Sequence, residues 1–86
     1  MRGGVQILPR GDRRVVRLRL TRHAEERMLE RGISKDDIAS AVANHHTKVS
    51  RTDGTTQYVG TVRGLELKAI VDDRVDPIRV ITAYFL

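Results

Sequence analysis

The sequence predicts an α+β fold in which two short N-terminal helices, following a short edge strand, pack on a four-stranded antiparallel sheet. Three observations predict it. Apolar residues recur with the helical period from about residue 21 to residue 44 and alternate with the strand period after it. The later alternating segments are separated only by Asp53-Gly54, by Arg63-Gly64 and by the loop from Asp73 to Pro77, and connections that short join antiparallel neighbours. With 86 residues, the chain has room for one hydrophobic core and no second one.

In chain order, residues 1–13 contain Gly3, Gly4, Pro9 and Gly11 and read as a flexible basic arm ahead of a single domain over residues 14–86. Val15-Val16-Arg17-Leu18-Arg19-Leu20 reads as an edge strand with Arg17 and Arg19 facing water. Thr21 suits a helix N-cap, opening a helix through Arg31 whose Ala24, Met28 and Leu29 form the buried stripe. On the neighbouring face His23, Arg27 and Arg31 stand at i, i+4 and i+8, and Glu26 and Glu30 share that spacing. Gly32 is the expected left-handed cap, with Ile33 supplying the apolar contact that accompanies it. Ser34 caps the next helix, Asp36 and Asp37 suit its first turn, and the helix runs from Lys35 to Asn44 with Ile38, Ala41 and Val42 buried.

The strands are then Thr47–Arg51, Thr55–Val62, Leu65–Asp72 and Ile78–Phe85. Strict alternation puts Leu65, Leu67, Ala69 and Val71 on one face and Lys68 on the other. In the last strand it sets Ile78, Val80, Thr82 and Tyr84 against Arg79, Ile81, Ala83 and Phe85. Lys68, Thr82 and Tyr84 are thus expected to form one polar patch.

Composition narrows the functional classes. The chain has no cysteine, which excludes disulfides and thiolate zinc sites and fits a reducing cytosol. The opening residues lack the apolar core of a signal peptide, and no run approaches the roughly 18 apolar residues that span a bilayer. A cytoplasmic protein without a membrane partner is expected. Its core is built almost wholly from aliphatic side chains, because Tyr58, Tyr84 and Phe85 are the only aromatic residues.

The formal net charge is +5, and it is unevenly placed. Residues 1–22 carry seven arginines against the single acid Asp12, leaving the rest of the chain close to neutral. Guanidinium groups pair with phosphate in a bidentate fashion, so Arg13, Arg14, Arg17, Arg19 and Arg22 are expected to bind RNA, with Arg31 as a further phosphate candidate. The competing readings are a solvated leader and, for Arg31, an ordinary helix-surface ion pair with Asp or Glu. His45-His46 does not suggest a metal site, since adjacent side chains diverge, and neither a metal nor a cofactor is expected. The Gly32-Ile33-Ser34 turn resembles that of helix-turn-helix DNA readers, but Asp36 and Asp37 would meet the phosphates.

The run Thr21-Arg22-His23-Ala24-Glu25-Glu26-Arg27-Met28-Leu29-Glu30-Arg31-Gly32-Ile33-Ser34, followed by Asp37-Ile38 and by Ile81-Thr82-Ala83-Tyr84, resembles the bacterial family called domain of unknown function 4258. The resemblance covers about residues 20–86 and leaves the arm outside. It implies membership of a large group of metal-independent ribonuclease toxins that includes barnase, the colicin ribonucleases and the RelE-like toxins, whose folds place helices before an antiparallel sheet. That implies a toxin-like endoribonuclease acting on cellular RNA, with an antitoxin as protein partner. The wider group uses a sheet Thr, Lys or Tyr to contact the phosphate.

Metal-independent RNA cleavage needs a base, an acid and cations around the phosphate. His23, Arg27, Lys68, Thr82 and Tyr84 are the residues expected to supply them, with His23 first because it sits in a helix's first turn and histidine is the side chain suited to exchange protons near working pH. The bland alternatives are a histidine that only packs and caps, and a Thr and Tyr present for strand propensity. A catalytically silent module that binds RNA or a protein partner is the second functional class, and a structural or regulatory component of another complex is the third.

Overall fold

In the computed structural model, which describes residues 16–86, the element order is β1 (Leu18–Leu20), α1 (Arg22–Arg31), α2 (Lys35–Ala43), β2 (Thr47–Ser50), β3 (Thr56–Val62), β4 (Leu65–Asp72) and β5 (Ile78–Phe85). The arm over residues 1–13 and the expected start of the first strand at Val15 lie outside the described residues. The fold is α+β with two helices, but the sheet has five strands in the order β1-β5-β4-β3-β2, and it is mixed rather than purely antiparallel. Strands β2 to β5 form the expected antiparallel meander. Strand β1 joins the same sheet, parallel to β5, with Leu18 opposite Ile78 and Leu20 opposite Val80. Such a pairing unites the two ends of the described chain, so no local period or turn could reveal it.

Capping residues set both ends of α1 and the start of α2. The Thr21 hydroxyl accepts from the Ala24 N–H at 3.0 Å, and Gly32, at φ 68°, closes α1 in the left-handed region. Ser34 and Asp37 form a reciprocal capping box at the start of α2, each satisfying the other's backbone N–H at 3.0 Å. The Arg63-Gly64 turn between β3 and β4 has positive φ at both residues, which is the geometry a two-residue hairpin requires. Arg63 also donates to the Asp37 carboxylate at 2.6 Å, tying this hairpin to the head of α2.

The two helices lie on one face of the sheet. Ala24, Met28, Ile38, Ala41 and Val42 are buried against Leu67, Ala69, Val71, Val80 and Ala83. Gly60 is required here, because α2 crosses β3 so closely that a Cβ at this position would lie 2.7 Å from the Ala41 carbonyl oxygen. Leu29 does not join the core as the helical stripe suggested; it is 84% exposed. It sits one step around the helix from Met28, past the margin of the face that the sheet covers, and Ile33 beyond the turn fills the core instead.

The alternation in β5 also differs from expectation. Between β4 and β5 the register shifts, with Ile70 opposite Thr82 but Val71 opposite Val80, so Ile81 is the extra residue of a β-bulge. The bulge resets the alternation: Val80 and Ala83 both face the core at 0% exposure, while Thr82 and Tyr84 face the other way. Val80 therefore does not share the face of Thr82 and Tyr84. Leu67, Ala69 and Val71 are buried as expected, whereas Leu65 at the hairpin end is exposed.

Candidate nucleic-acid interface

Strand β1 pairs with β5 only as far as Val80, and the later part of that edge lies beside α1. An unpaired strand edge leaves carbonyl groups without partners. Arg31, in the last turn of α1, supplies one: its guanidinium donates to the Ala83 carbonyl oxygen at 2.9 Å and reaches the Thr82 hydroxyl at 3.3 Å. The expected carboxylate partner is not what Arg31 meets. Because Gly32 stops the helix immediately afterwards, this side chain is placed at the level of the β5 edge, and it joins the face of α1 that carries His23 and Arg27 to the sheet.

His23 and Arg27 are exposed, one turn apart, with the Arg27 Nε–H pointing to His23 Nε2 over a long 3.4 Å contact. Arg27 is also 3.6 Å from the Glu30 carboxylate.

The face of the sheet turned away from the helices carries the patch expected from alternation. Lys68 pairs with Tyr84 across β4 and β5, its ammonium 5.8 Å from the centre of the Tyr84 ring, and Thr82 follows on the same face. All three are half-buried. The register extends the Lys68 row across the sheet as Thr47, Val59, Lys68 and Tyr84. The structure thus brings Lys68, Thr82, Tyr84 and Arg31 together. Among the described residues, neither His23 nor Arg27 makes a hydrogen bond or ion pair to the first three.

Beside that patch is a cluster that sequence reading did not identify. His46 Nε2 contacts the Glu66 carboxylate, its Nδ1 is 2.9 Å from the Thr47 hydroxyl, and the Thr61 hydroxyl donates to the other Glu66 oxygen at 2.9 Å. The hydrogen bonds from His46 and from Thr61 hold the Glu66 carboxyl below the usual carboxylate range. Glu66 and Lys68 have the spacing that puts two residues on one face of a strand, which was a legible signal. The approach of His46, which precedes Glu66 by a full hairpin, was not. His45 turns the opposite way, its Nδ1 2.7 Å from the Val42 carbonyl and its ring edge-on to Tyr58.

The remaining arginines are dispersed. Arg17 is exposed and ion-paired with Asp76 at 2.8 Å, while Arg19 on β1 and Arg22 at the start of α1 are exposed. Arg13 and Arg14 lie outside the described residues. A cavity of about 530 Å³, lined by Val16, Arg17, Val42, His45, Tyr58 and Ile78 among others, opens at the far margin of the core. Neither His23 nor Arg27 lines it. The Tyr58 hydroxyl donates to Asp73 at 2.7 Å, and burial with that bond pushes its pKa up to about 12. Among the described residues, no group of three or more His, Cys, Asp or Glu side chains could hold a metal ion, and no helix is long and apolar enough to cross a membrane.

The family model described as Domain of unknown function (DUF4258) matches residues 20–85. The chain belongs to this family. A search of curated proteins and a search of solved structures each found no match. The match takes in both helices and β2 to β5, so the DUF4258 region contains the His23 and Arg27 turn, Arg31 on the β5 edge and the whole uncovered sheet face. Arg13, Arg14, Arg17 and Arg19 precede the DUF4258 match.

Proposed function

We propose that this chain is a metal-independent endoribonuclease of toxin type, binding RNA across the uncovered sheet face and the adjoining edge of β5. The observation that carries the reading is the contact of Arg31 with Thr82, which makes the basic face of α1 continuous with the Lys68, Thr82 and Tyr84 patch. Cations on that path meet successive phosphates, and hydroxyl groups at its centre hydrogen-bond to the non-bridging oxygens. In a metal-free cleavage the 2′-hydroxyl attacks the adjacent phosphorus, and Arg31 with Lys68 would stabilise the charge that grows on phosphate in the transition state. The arm, with Arg2, Arg10 and Arg13 against Asp12, adds sequence-independent attraction. The resemblance to the DUF4258 family, which implies the ribonuclease-toxin group, supports the same reading and suggests an antitoxin as partner and the cytoplasm as location.

RNA binding without cleavage is the second reading. Its supporting observation is that, among the described residues, His23 makes no hydrogen bond or ion pair to the sheet patch. One experiment separates the two: the purified full chain is incubated with a labelled single-stranded RNA in excess EDTA, and binding is followed as a function of salt. Cleavage in EDTA to a 2′,3′-cyclic phosphate is expected. Binding should weaken with salt, and Lys68→Ala should lower the slope of log affinity against log salt by about 0.7. Binding with intact RNA would establish the silent module, and no affinity at low salt would refute both readings.

A further inference from the structure

RNA cleavage by 2′-hydroxyl attack requires a proton acceptor among the groups that hold the phosphate, and the three histidines are placed very differently. His23 stands on α1 and interacts with Arg27. His45 is turned toward the helix side of the sheet, beside Tyr58 and the Val42 carbonyl. His46 alone reaches residues of the uncovered face, between Glu66 and Thr47. We propose that His46, oriented by Glu66, is the base that takes the 2′-hydroxyl proton; this rests on the ribonuclease reading above.

The hydrogen-bond pattern fixes which nitrogen would act. An ionised carboxylate only accepts, so the His46 Nε2 beside Glu66 carries the proton. In the neutral ring the lone pair is then on Nδ1, where the Thr47 hydroxyl stands at 2.9 Å and donates to it. A hydroxyl group already occupies the position that a substrate 2′-hydroxyl would take. Thr61, donating to the second oxygen of Glu66, holds the carboxylate in place, so the base has an orienting partner and that partner is itself braced. Glu66 is two residues from Lys68 on the same face of β4, and Tyr84 lies opposite Lys68. The apolar Val59, between Thr47 and Lys68 in the register, forms the floor of this row at 7% exposure.

The reaction consumes no water and needs no metal. The 2′-hydroxyl proton passes to His46 Nδ1 as the 2′-oxygen bonds to phosphorus. The bond from phosphorus to the 5′-oxygen breaks, and that oxygen takes a proton from the Lys68 ammonium. The imidazolium then returns its proton to Lys68 through solvent. The products are a 2′,3′-cyclic phosphate and a 5′-hydroxyl end.

The test measures cleavage of a short oligoribonucleotide in EDTA by the full chain and by its His46→Ala, Glu66→Gln and His23→Ala variants, with RNA affinity determined separately. His46→Ala is expected to lower kcat by about 10²–10⁴-fold with affinity little changed, and to remove the acid limb of the pH-rate profile. Glu66→Gln should lower kcat at unchanged KM. Both side chains are about half exposed, at 51% and 44%, so thermal melts of the variants should match the parent and exclude misfolding as the cause. A readout independent of activity is the nitrogen NMR of the His46 ring, which should show the Nε2–H tautomer; the Nδ1–H tautomer would overturn the assignment. If the parent cleaves and His23→Ala abolishes cleavage while His46→Ala does not, this proposal fails and the ribonuclease reading stands. If the parent binds RNA without cleaving it, both fail.

Discussion

Replacing Gly60 by Ala tests the closest approach between the two layers. An added methyl carbon would lie 2.7 Å from the Ala41 carbonyl oxygen and 2.8 Å from its Cα, and ordinary contact begins at about 3.5 Å. Both are backbone atoms of α2, so no rotamer change can relieve the overlap, and the helix would have to lift by about 0.7 Å. Lifting it would loosen the packing of Ile38 and Ala41 of α2, both at 0% exposure. Overpacking of this kind costs about 1–3 kcal/mol. In a chain of this size each kcal/mol lowers Tm by roughly 4–8 °C, so a fall of about 5–20 °C is expected by calorimetry or circular dichroism. The displacement also has a functional route, since α2 leads through Asn44 and His45 directly to His46. A variant that melts within a degree or two of the parent would refute the close-packing argument.

Two further outcomes follow from particular contacts. Met28→Ala removes a side chain that is 2% exposed and should cost about 2–5 kcal/mol, whereas Leu29→Ala, at 84% exposure, should stay within about 0.5 kcal/mol in urea unfolding; equal effects would contradict the orientation of α1. Asp37 is held below the usual carboxylate value by the Arg63 hydrogen bond and then by the Ser34 backbone, so its contribution to stability is present above the unfolded carboxyl pKa of about 3.9 and is lost as pH falls through the lower folded value. The stability gap between the parent and Asp37→Asn should therefore be largest above pH 4 to 5 and shrink toward acid. A gap that is constant from pH 2 to pH 7 would argue against the charged contact.

Short-range chemistry made much of the fold legible. Thr21, Gly32 and Ser34 act at once on their own backbone neighbours, so the helix boundaries could be read without knowing what the helices pack on. The same holds for Arg63-Gly64 and for the strands of the meander, whose partners are the next segments in the chain. The exposed spacing of His23, Arg27 and Arg31 and the common face of Lys68, Thr82 and Tyr84 were likewise visible.

What depended on distant partners was not legible. The parallel pairing of β1 with β5 joins segments separated by most of the chain, and the Ile81 bulge records a mismatch between two particular strands. Strict alternation assigned Thr82 and Tyr84 to the same side as Val80, and only the extra residue turns them toward solvent while Val80 stays in the core. Arg31 finds Thr82 and the Ala83 carbonyl because β1 stops at Leu20 and leaves that edge unpaired. His46 meets Glu66 only after α2, β2 and the β3–β4 hairpin have all been placed, so their contact is a property of the assembled sheet and not of either residue's neighbourhood in the sequence.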